Sequence, residues 1–154
     1  MKARTILACL AVLFAGVGLV FASDAQMGTW KLNESKSKLS PGATKNHTVV
    51  YEAAGDDIKI TVDGVDKEGK AVHNEWTGKF DGKDYPVTGD PNSDARSYKK
   101  VDDYTLEMTI KKGGKVTATG RIEVSADGKT RTVTTTGTEA SGKKVTNIGV
   151  YDKE

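Results

Sequence analysis

Apolar and polar residues alternate along most of the chain from residue 27 onward, which is the pattern of β-strands with one buried face. The clearest run is 104–112, in which Tyr104, Leu106, Met108 and Ile110 alternate with polar residues. Turn pairs that contain glycine separate the runs and tolerate the positive φ that tight hairpins require. The pattern predicts ten strands, over residues 27–32, 46–53, 57–64, 71–80, 84–88, 95–101, 104–112, 115–125, 129–138 and 144–152.

Consecutive antiparallel strands in this number cannot form an open sheet without leaving two exposed edges, and closure removes both edges. Every connection is hairpin-short except 33–45, for which one turn of helix is expected near 34–38. We therefore predict an all-β fold, a single antiparallel up-and-down β-barrel of about 8–10 strands. A two-sheet sandwich fits the same alternation, but its Greek-key connections need longer crossovers than most of these.

The N-terminal segment has the three parts of a secretory signal. Lys2 and Arg4 supply the positive charge, residues 6–21 are almost entirely apolar, and small residues allow cleavage near Ala22 or Ala25. The apolar run is shorter than the roughly 20 residues that a membrane-spanning helix needs. The predicted division is a signal peptide over 1–22 and a barrel domain over 23–154.

Cleavage would make the protein periplasmic or secreted, with no integral membrane anchor. It would also remove Cys9, the only cysteine, so the mature chain has no disulfide or thiolate chemistry. It takes away two basic residues and no acid, so 21 basic residues balance the 21 acidic ones. Nucleic-acid binders usually show a basic excess, so no nucleic-acid partner is expected.

Catalytic and metal-binding motifs are absent from the sequence. It contains no nucleophile elbow, zinc-protease helix, phosphate-binding loop or dinucleotide fingerprint. His47 and His73 fall on different strands and are interpreted as solvated. We expect no enzyme activity, no catalytic residues, no metal site and no cofactor. Basic residues on two neighbouring strands predict a solvated wall, or else a docking site for an anion: Arg96, Lys99, Lys100, Lys111, Lys112 and Lys115.

The first strand carries a family resemblance. Gly28-Thr29-Trp30 resembles the G-x-W opening of lipocalins and their calycin relatives, and Asp103-Tyr104 matches the end of their T-D-Y turn. The resemblance implies that Trp30 closes the bottom of the barrel and that the 33–45 connection covers its mouth. It also implies that a late arginine packs on this tryptophan, for which Arg121 and Arg131 are both candidates. A ligand cavity and no catalysis are the functional implications.

The whole mature chain is also similar to small secreted bacterial proteins of unknown function. The shared segments are GTWKLN, YEAAGD, DGKDYPVTG and a VYDK ending. This resemblance covers most of the length, and it implies no established activity.

The predicted interior combines apolar residues with a few amides and several small residues. Ala118, Gly120 and Gly149 leave room where a solid core would need bulk. An apolar cavity with a few polar groups is typical of a small-molecule site, although a small barrel can also fill itself. Both alternatives stay open at this point. The predicted lining is Val50, Ile60, Val62, Asn74, Trp76, Leu106, Met108, Ile110, Val116, Ala118 and Ile122.

We expect an exported lipocalin-like barrel that binds a small, apolar or amphipathic molecule inside it. The alternative is a non-enzymatic protein-interaction or inhibitor module with a filled core, acting through the loops 33–45 or 86–94. The identity of the ligand and the oligomeric state do not follow from the sequence. The ligand-binding candidates are Trp76, Tyr98, Met108 and Tyr51, and the structural motif residues are Gly28, Trp30, Asp103 and Tyr104.

Overall fold

A computed structural model of the protein describes residues 24–154. The predicted signal peptide, with Cys9 and the cleavage position at Ala22, lies outside this range. The described chain contains ten strands and one short 3-10 helix. The strands are β1 (Gly28–Leu32), β2 (Lys45–Ala54), β3 (Asp57–Val65), β4 (Ala71–Gly78), β5 (Tyr85–Thr88), β6 (Ala95–Asp102), β7 (Thr105–Lys112), β8 (Lys115–Val124), β9 (Thr130–Thr138) and β10 (Lys144–Lys153), and the helix covers Glu34–Lys36.

The ten strands form one closed antiparallel barrel in which each strand pairs with its neighbours in sequence. The barrel closes where β1 pairs with β10, with Trp30 opposite Lys153 and Leu32 opposite Tyr151. Closure leaves no unpaired edge, which is the reason this topology was predicted. The prediction of an up-and-down barrel is confirmed, and the sandwich alternative is wrong.

The connections alternate between the two ends of the barrel, because consecutive strands are antiparallel. The odd-numbered connections, from β1–β2 to β9–β10, lie at one end, which we call the mouth. The even-numbered connections lie at the opposite end, which we call the floor, together with residues 24–27. The long connection 33–44 therefore belongs to the mouth, as the calycin resemblance implies. Its 3-10 helix begins after Asn33, whose side chain accepts a hydrogen bond from the backbone N–H of Lys36.

An aromatic cluster fills the interior between β4 and β6 on the floor side. The Trp76 ring lies 4.7 Å from the Tyr98 ring and 5.6 Å from the Tyr85 ring, edge to face in both cases. The predicted strand 71–80 ends at Gly78, but Phe80 still stacks on Trp76 with centroids 6.4 Å apart. Gly78 makes the cluster possible, since a Cβ there would lie 2.4 Å from the Tyr85 ring.

The segment before β1 forms part of the floor. The fully buried Trp30 donates its Nε1 hydrogen to the backbone oxygen of Gln26 at 2.9 Å. The buried Gln26 side chain in turn donates to the backbone oxygen of Tyr104 at 3.3 Å, in the β6–β7 turn. Residues 24–27 thus connect the first strand to the opposite side of the barrel.

Three predicted strand faces are wrong, each for a local reason. The sequence analysis placed Val50 inside, but Val49 is the buried residue. Two adjacent valines give no alternation that would show which of them faces inward. Val116 is exposed to solvent, because a register shift between Ile110 and Lys111 of β7 reverses the alternation in the part of β8 that precedes Ala118. Tyr104 is exposed, because it belongs to the turn before β7 and not to the strand.

Candidate functional site

A cavity of about 830 Å³ occupies the mouth side of the barrel. Its rim is formed by residues of four mouth connections, and its wall continues down the strands to Tyr51, Arg131 and Tyr151. Those three residues lie toward the floor-side ends of β2, β9 and β10, so they form the deep end of the cavity. The interior is therefore open, and the volume falls within the range of about 300–1,000 Å³ that small-molecule pockets occupy.

The wall of the cavity combines apolar and polar groups in similar measure. Met108 extends over the neighbouring strand β8, where its Cε would lie 2.9 Å from a Cβ at Gly120. A larger residue at that point would displace the end of the Met108 side chain. The space predicted at Gly120 is thus occupied by Met108, whereas Ala118 faces the open cavity. The apolar lining includes Val49, Ile60, Val62, Met108, Ile110, Ala118, Ile122 and Val133.

Three of the four predicted ligand-binding residues line the cavity, namely Tyr51, Tyr98 and Met108. Trp76 is outside the lining. It lies in the aromatic cluster behind Tyr98, where its Nε1 donates to the backbone oxygen of Arg96 at 3.0 Å. The structure therefore brings three of the four residues together and places Trp76 in the supporting layer.

Amide side chains provide polar groups in the upper wall. Asn147 on β10 accepts a hydrogen bond from the backbone N–H of Ser40 at 2.7 Å, which attaches the β1–β2 connection to the wall. Asn74 on β4 accepts from Nη1 of Arg96 at 3.1 Å. Both amides line the cavity, so they stabilise the mouth and also present polar atoms to its interior.

Arg96 is a buried cation near the mouth, not the surface residue that the basic cluster predicted. Its Nη2 lies 2.6 Å from Oδ2 of Asp90 in the β5–β6 connection, so its charge is balanced. Burial alone would raise the pKa of Asp90. Hydrogen bonds from Ser93 and Asn92, together with the Arg96 charge, outweigh this effect, so the pKa lies below its usual range.

Arg131 is a second buried cation, at the deep end. Its Nη2 donates to the Tyr51 hydroxyl at 2.5 Å and its Nε donates to Oε1 of Gln26 at 3.4 Å. Its guanidinium carbon lies 4.9 Å from the Tyr51 ring centroid and 5.3 Å from that of Tyr151, within the range of cation–π contacts. Burial raises the pKa of both tyrosines, with the Arg131 charge opposing, so both hydroxyls are neutral.

The sequence did not predict Arg131 as a cavity residue. It occurs in a threonine-rich strand, which carries no apolar alternation from which its side could be read. The structure places Arg131, Val133, Thr135 and Gly137 inward. One feature of the sequence could have placed it. Arg131 is the single charged residue of β9 and lies two positions from Val133, so the two side chains share a face of the strand.

The structural motif residues occupy the predicted region of the barrel. Gly28 has φ +110°, a conformation that favours glycine, which explains the first position of G-x-W. Trp30 is at the floor side, and Asp103 and Tyr104 form the β6–β7 turn. The cation over the Trp30 ring is Lys153, with Nζ 5.2 Å from the centroid.

Neither arginine candidate has the predicted position over Trp30 among the cation–π contacts of the described chain. The guanidinium of Arg131 lies over Tyr51 and Tyr151 instead. Arg121 is on the outer surface, where its Nε donates to Glu123 at 2.9 Å. Gln26 links Arg131 to the tryptophan, because its backbone oxygen accepts from Trp30 and its side-chain oxygen accepts from Arg131.

The outer surface of the described chain offers little additional chemistry. Within residues 24–154, no group of three or more histidine, cysteine or acidic side chains is arranged to hold a metal ion. Over the same range, no helix is long and apolar enough to cross a membrane. His73 is exposed, with Nδ1 2.6 Å from Asp63, and His47 is exposed beside Glu34.

Comparison with known proteins identifies no family, and the similarity to solved structures is distant. No family model and no curated protein matches the chain. A redesigned beta barrel, mFAP1, bound to DFHBI, is 17% identical with a TM-score of 0.44, over 84% of this chain and 98% of that chain. EF1p2_mFAP2b bound to DFHBI is 12% identical with a TM-score of 0.48, over 86% and 97%. Similarity this low carries no information about what this chain binds.

Proposed function

We propose that the protein binds a small, partly apolar molecule in the barrel cavity. The observation that carries the proposal is the cavity itself, with a volume of about 830 Å³ and a wall that combines apolar and polar groups. A small barrel that served only as a scaffold would gain stability by filling this space, because interiors normally pack densely. The mouth connections surround the entrance, so a ligand enters between them.

Binding without chemistry is part of the proposal. The cavity lining includes two arginines, three tyrosines, four asparagines and four threonines. The one carboxylate near Arg96 is that of Asp90, which is fully engaged by Ser93, Asn92 and Arg96. The other carboxylates of the lining, Asp66, Glu68 and Glu139, lie in mouth connections at the rim. A hydrolase or isomerase of the ordinary kind needs a base beside a nucleophile or acid, and carboxylates confined to the rim favour binding without chemistry.

The alternative function was a protein-interaction or inhibitor module with a filled core. The open cavity is inconsistent with that core. The loops on which this alternative relied, 33–45 and 86–94, both contribute residues to the rim of the cavity. Their position at the rim fits control of ligand entry better than an independent binding surface.

We also propose that the chain is exported and cleaved after Ala22. Cleavage after Ala25 would remove Asp24, whose Oδ1 accepts from the Gln26 backbone N–H at 3.0 Å and whose Oδ2 lies 3.3 Å from Lys100. Retention of Asp24 keeps the floor segment intact. N-terminal sequencing of the exported protein should give Ser23 as the first residue, and a start at Gln26 would refute the choice of site.

A titration with Nile red, a neutral dye that fluoresces in apolar surroundings, tests the proposed function. We expect a saturable rise in fluorescence at one dye per barrel, with a shift to shorter wavelength. Competition by unlabelled apolar compounds should reverse the rise. No rise with the folded protein would contradict binding in the cavity.

A further inference from the structure

Two buried arginines line the cavity, and they differ in whether a carboxylate balances the charge. Arg96 near the mouth has the carboxylate of Asp90 at 2.6 Å and a hydrogen bond to Asn74. Arg131 at the deep end is more buried, with a relative exposure of 3%. No carboxylate among residues 24–154 lies within ion-pair distance of Arg131, although every other arginine described there has such a partner.

The partners of Arg131 are all neutral. They are the hydroxyl of Tyr51, the side-chain amide of Gln26 and the faces of two tyrosine rings. Hydrogen bonds and cation–π contacts reduce the cost of burying a guanidinium, but they do not cancel its charge. Nη1 of Arg131 makes no hydrogen bond within the described chain, and Arg131 borders the cavity. One positive charge with a free donor therefore faces the ligand space.

Neighbouring hydroxyls complete a site for an acidic oxygen. The Tyr51 hydroxyl accepts the bond from Arg131, so its own hydrogen remains available to donate. Tyr151 also borders the deep end, and its hydroxyl is neutral because burial raises its pKa. A guanidinium and two neutral hydroxyls at the same end of the cavity offer the donors that a carboxylate, which accepts through two oxygens, needs.

We infer that the natural ligand carries one carboxylate, which binds Arg131, Tyr51 and Tyr151 at the deep end while its apolar body contacts the wall. This inference rests on the proposed function and names the ligand class of the same cavity. One unpaired cation is neutralised by one negative charge. The rim carries Asp66, Glu68 and Glu139 against Lys67, so a ligand with several negative charges would meet repulsion on entry.

Competition with Nile red by three compounds of equal chain length tests the inference. The compounds are dodecanoate, dodecanol and methyl dodecanoate, used at concentrations below aggregation. In the wild type, we expect dodecanoate to bind about tenfold to a hundredfold more tightly than the alcohol or the ester, as a charged hydrogen bond provides. Because this comparison varies the ligand, it needs no altered protein.

Variants then assign the preference to Arg131. Arg131→Gln should abolish the preference for the acid while leaving alcohol binding, and Tyr51→Phe should reduce it several-fold. Arg121→Gln is the matched control, since Arg121 is an exposed arginine on the adjacent strand. Circular dichroism checks that each variant is folded, and the wild-type comparison decides the question if Arg131→Gln is not.

The outcomes separate the two proposals. Equal affinity for the three compounds, or weaker binding of the acid, overturns the carboxylate site and leaves the cavity as a binding site. A preference that survives in folded Arg131→Gln overturns the assignment to this residue. Failure of all three compounds to displace bound dye overturns the inferred ligand class, whereas failure of the dye itself to bind contradicts the proposed function.

Discussion

Asp90 and Arg96 form a salt bridge that fixes a loop of the mouth to the wall of the barrel. Oδ2 of Asp90 lies 2.6 Å from Nη2 of Arg96, and the two side chains are only 15% and 10% exposed. Asp90 also accepts hydrogen bonds from Asn92 and Ser93 of its own loop. The β5–β6 connection therefore holds its place at the rim because its carboxylate neutralises a cation inside the barrel.

Replacing Asp90 with asparagine should destabilise the protein. Asp90→Asn leaves Arg96 buried without a counter-charge, and we expect a loss of about 3 kcal/mol in the free energy of unfolding. The control is Asp84→Asn, which removes a largely exposed partner of Lys111 and should cost less than about 1 kcal/mol. Urea denaturation measures both values. Equal losses of unfolding free energy in the two variants would show that the buried Asp90–Arg96 pair stabilises the fold no more than the exposed pair does.

The lowered pKa of Asp90 predicts that the stability of the fold depends on pH. A carboxylate whose pKa is lower in the folded than in the unfolded protein stabilises the fold above the unfolded-state value, near 3.9. The pKa of folded Asp90 lies below its usual range, so the contribution is lost as the pH falls from about 4 toward that lower value. The stability difference between the wild type and Asp90→Asn should therefore be constant near neutrality and shrink below about pH 4. A difference that grows on acidification would contradict this assignment.

Trp30 should stabilise the floor through its hydrogen bond as well as its volume. Trp30→Phe removes the donor to the Gln26 backbone oxygen and leaves a void around a fully buried ring. We expect a loss of roughly 2–3 kcal/mol in the free energy of unfolding. Hydrogen exchange at residues 26–30 should also become faster, because the floor segment loses its attachment. Unchanged exchange there would mean that other contacts hold the segment.

Two strand glycines should respond differently to an added methyl group. In Gly78→Ala the new Cβ would lie 2.4 Å from the Tyr85 ring, so the aromatic cluster must move, at a cost of about 1–3 kcal/mol. In Gly137→Ala the nearest atom would be the Thr117 oxygen at 3.2 Å, so the change should be much milder. Thermal unfolding of the two variants compares them directly. A larger loss for Gly137→Ala would contradict the packing described for Gly78.

Filling the cavity should prevent dye binding without unfolding the barrel. Ala118→Phe places a ring in the open space, whereas Val116→Phe, two residues away on the same strand, places it in solvent. We expect at least a tenfold loss of Nile red affinity for the first variant and none for the second. Equal affinity of the two variants would show that the dye binds elsewhere.

The fold was predictable because its determinants are local. Alternation along runs such as 104–112 and glycine turns between them specify strands, and ten strands without long crossovers leave closure as the way to cover both edges. Errors appeared where alternation is interrupted. At Val49 and Val50, two adjacent apolar residues left the inward face undetermined. In β8, the register shift after Ile110 put Val116 on the outer face, which the alternation alone could not predict.

The site was only partly predictable. Tyr51, Tyr98 and Met108 were chosen as large residues on apolar strands, and strand parity brings them to the cavity. Neither Arg96 nor Arg131 was predicted as a cavity residue, because charged residues on strands usually face solvent; Arg131 was named only as a candidate for packing on Trp30. The burial of Arg131 depends on a partner distant in the chain, Tyr51, 80 positions away. Such pairings follow from barrel closure and leave no local trace in the sequence.

Native mass spectrometry tests the central claim, that the cavity binds a small molecule, most directly. The protein would be residues 23–154, exported in a bacterial host and purified without detergent. We predict a discrete added mass that disappears on denaturation, or uptake of one molecule from a mixture of fatty acids and other apolar metabolites. A bare protein mass, unchanged after exposure to that mixture, would contradict the account.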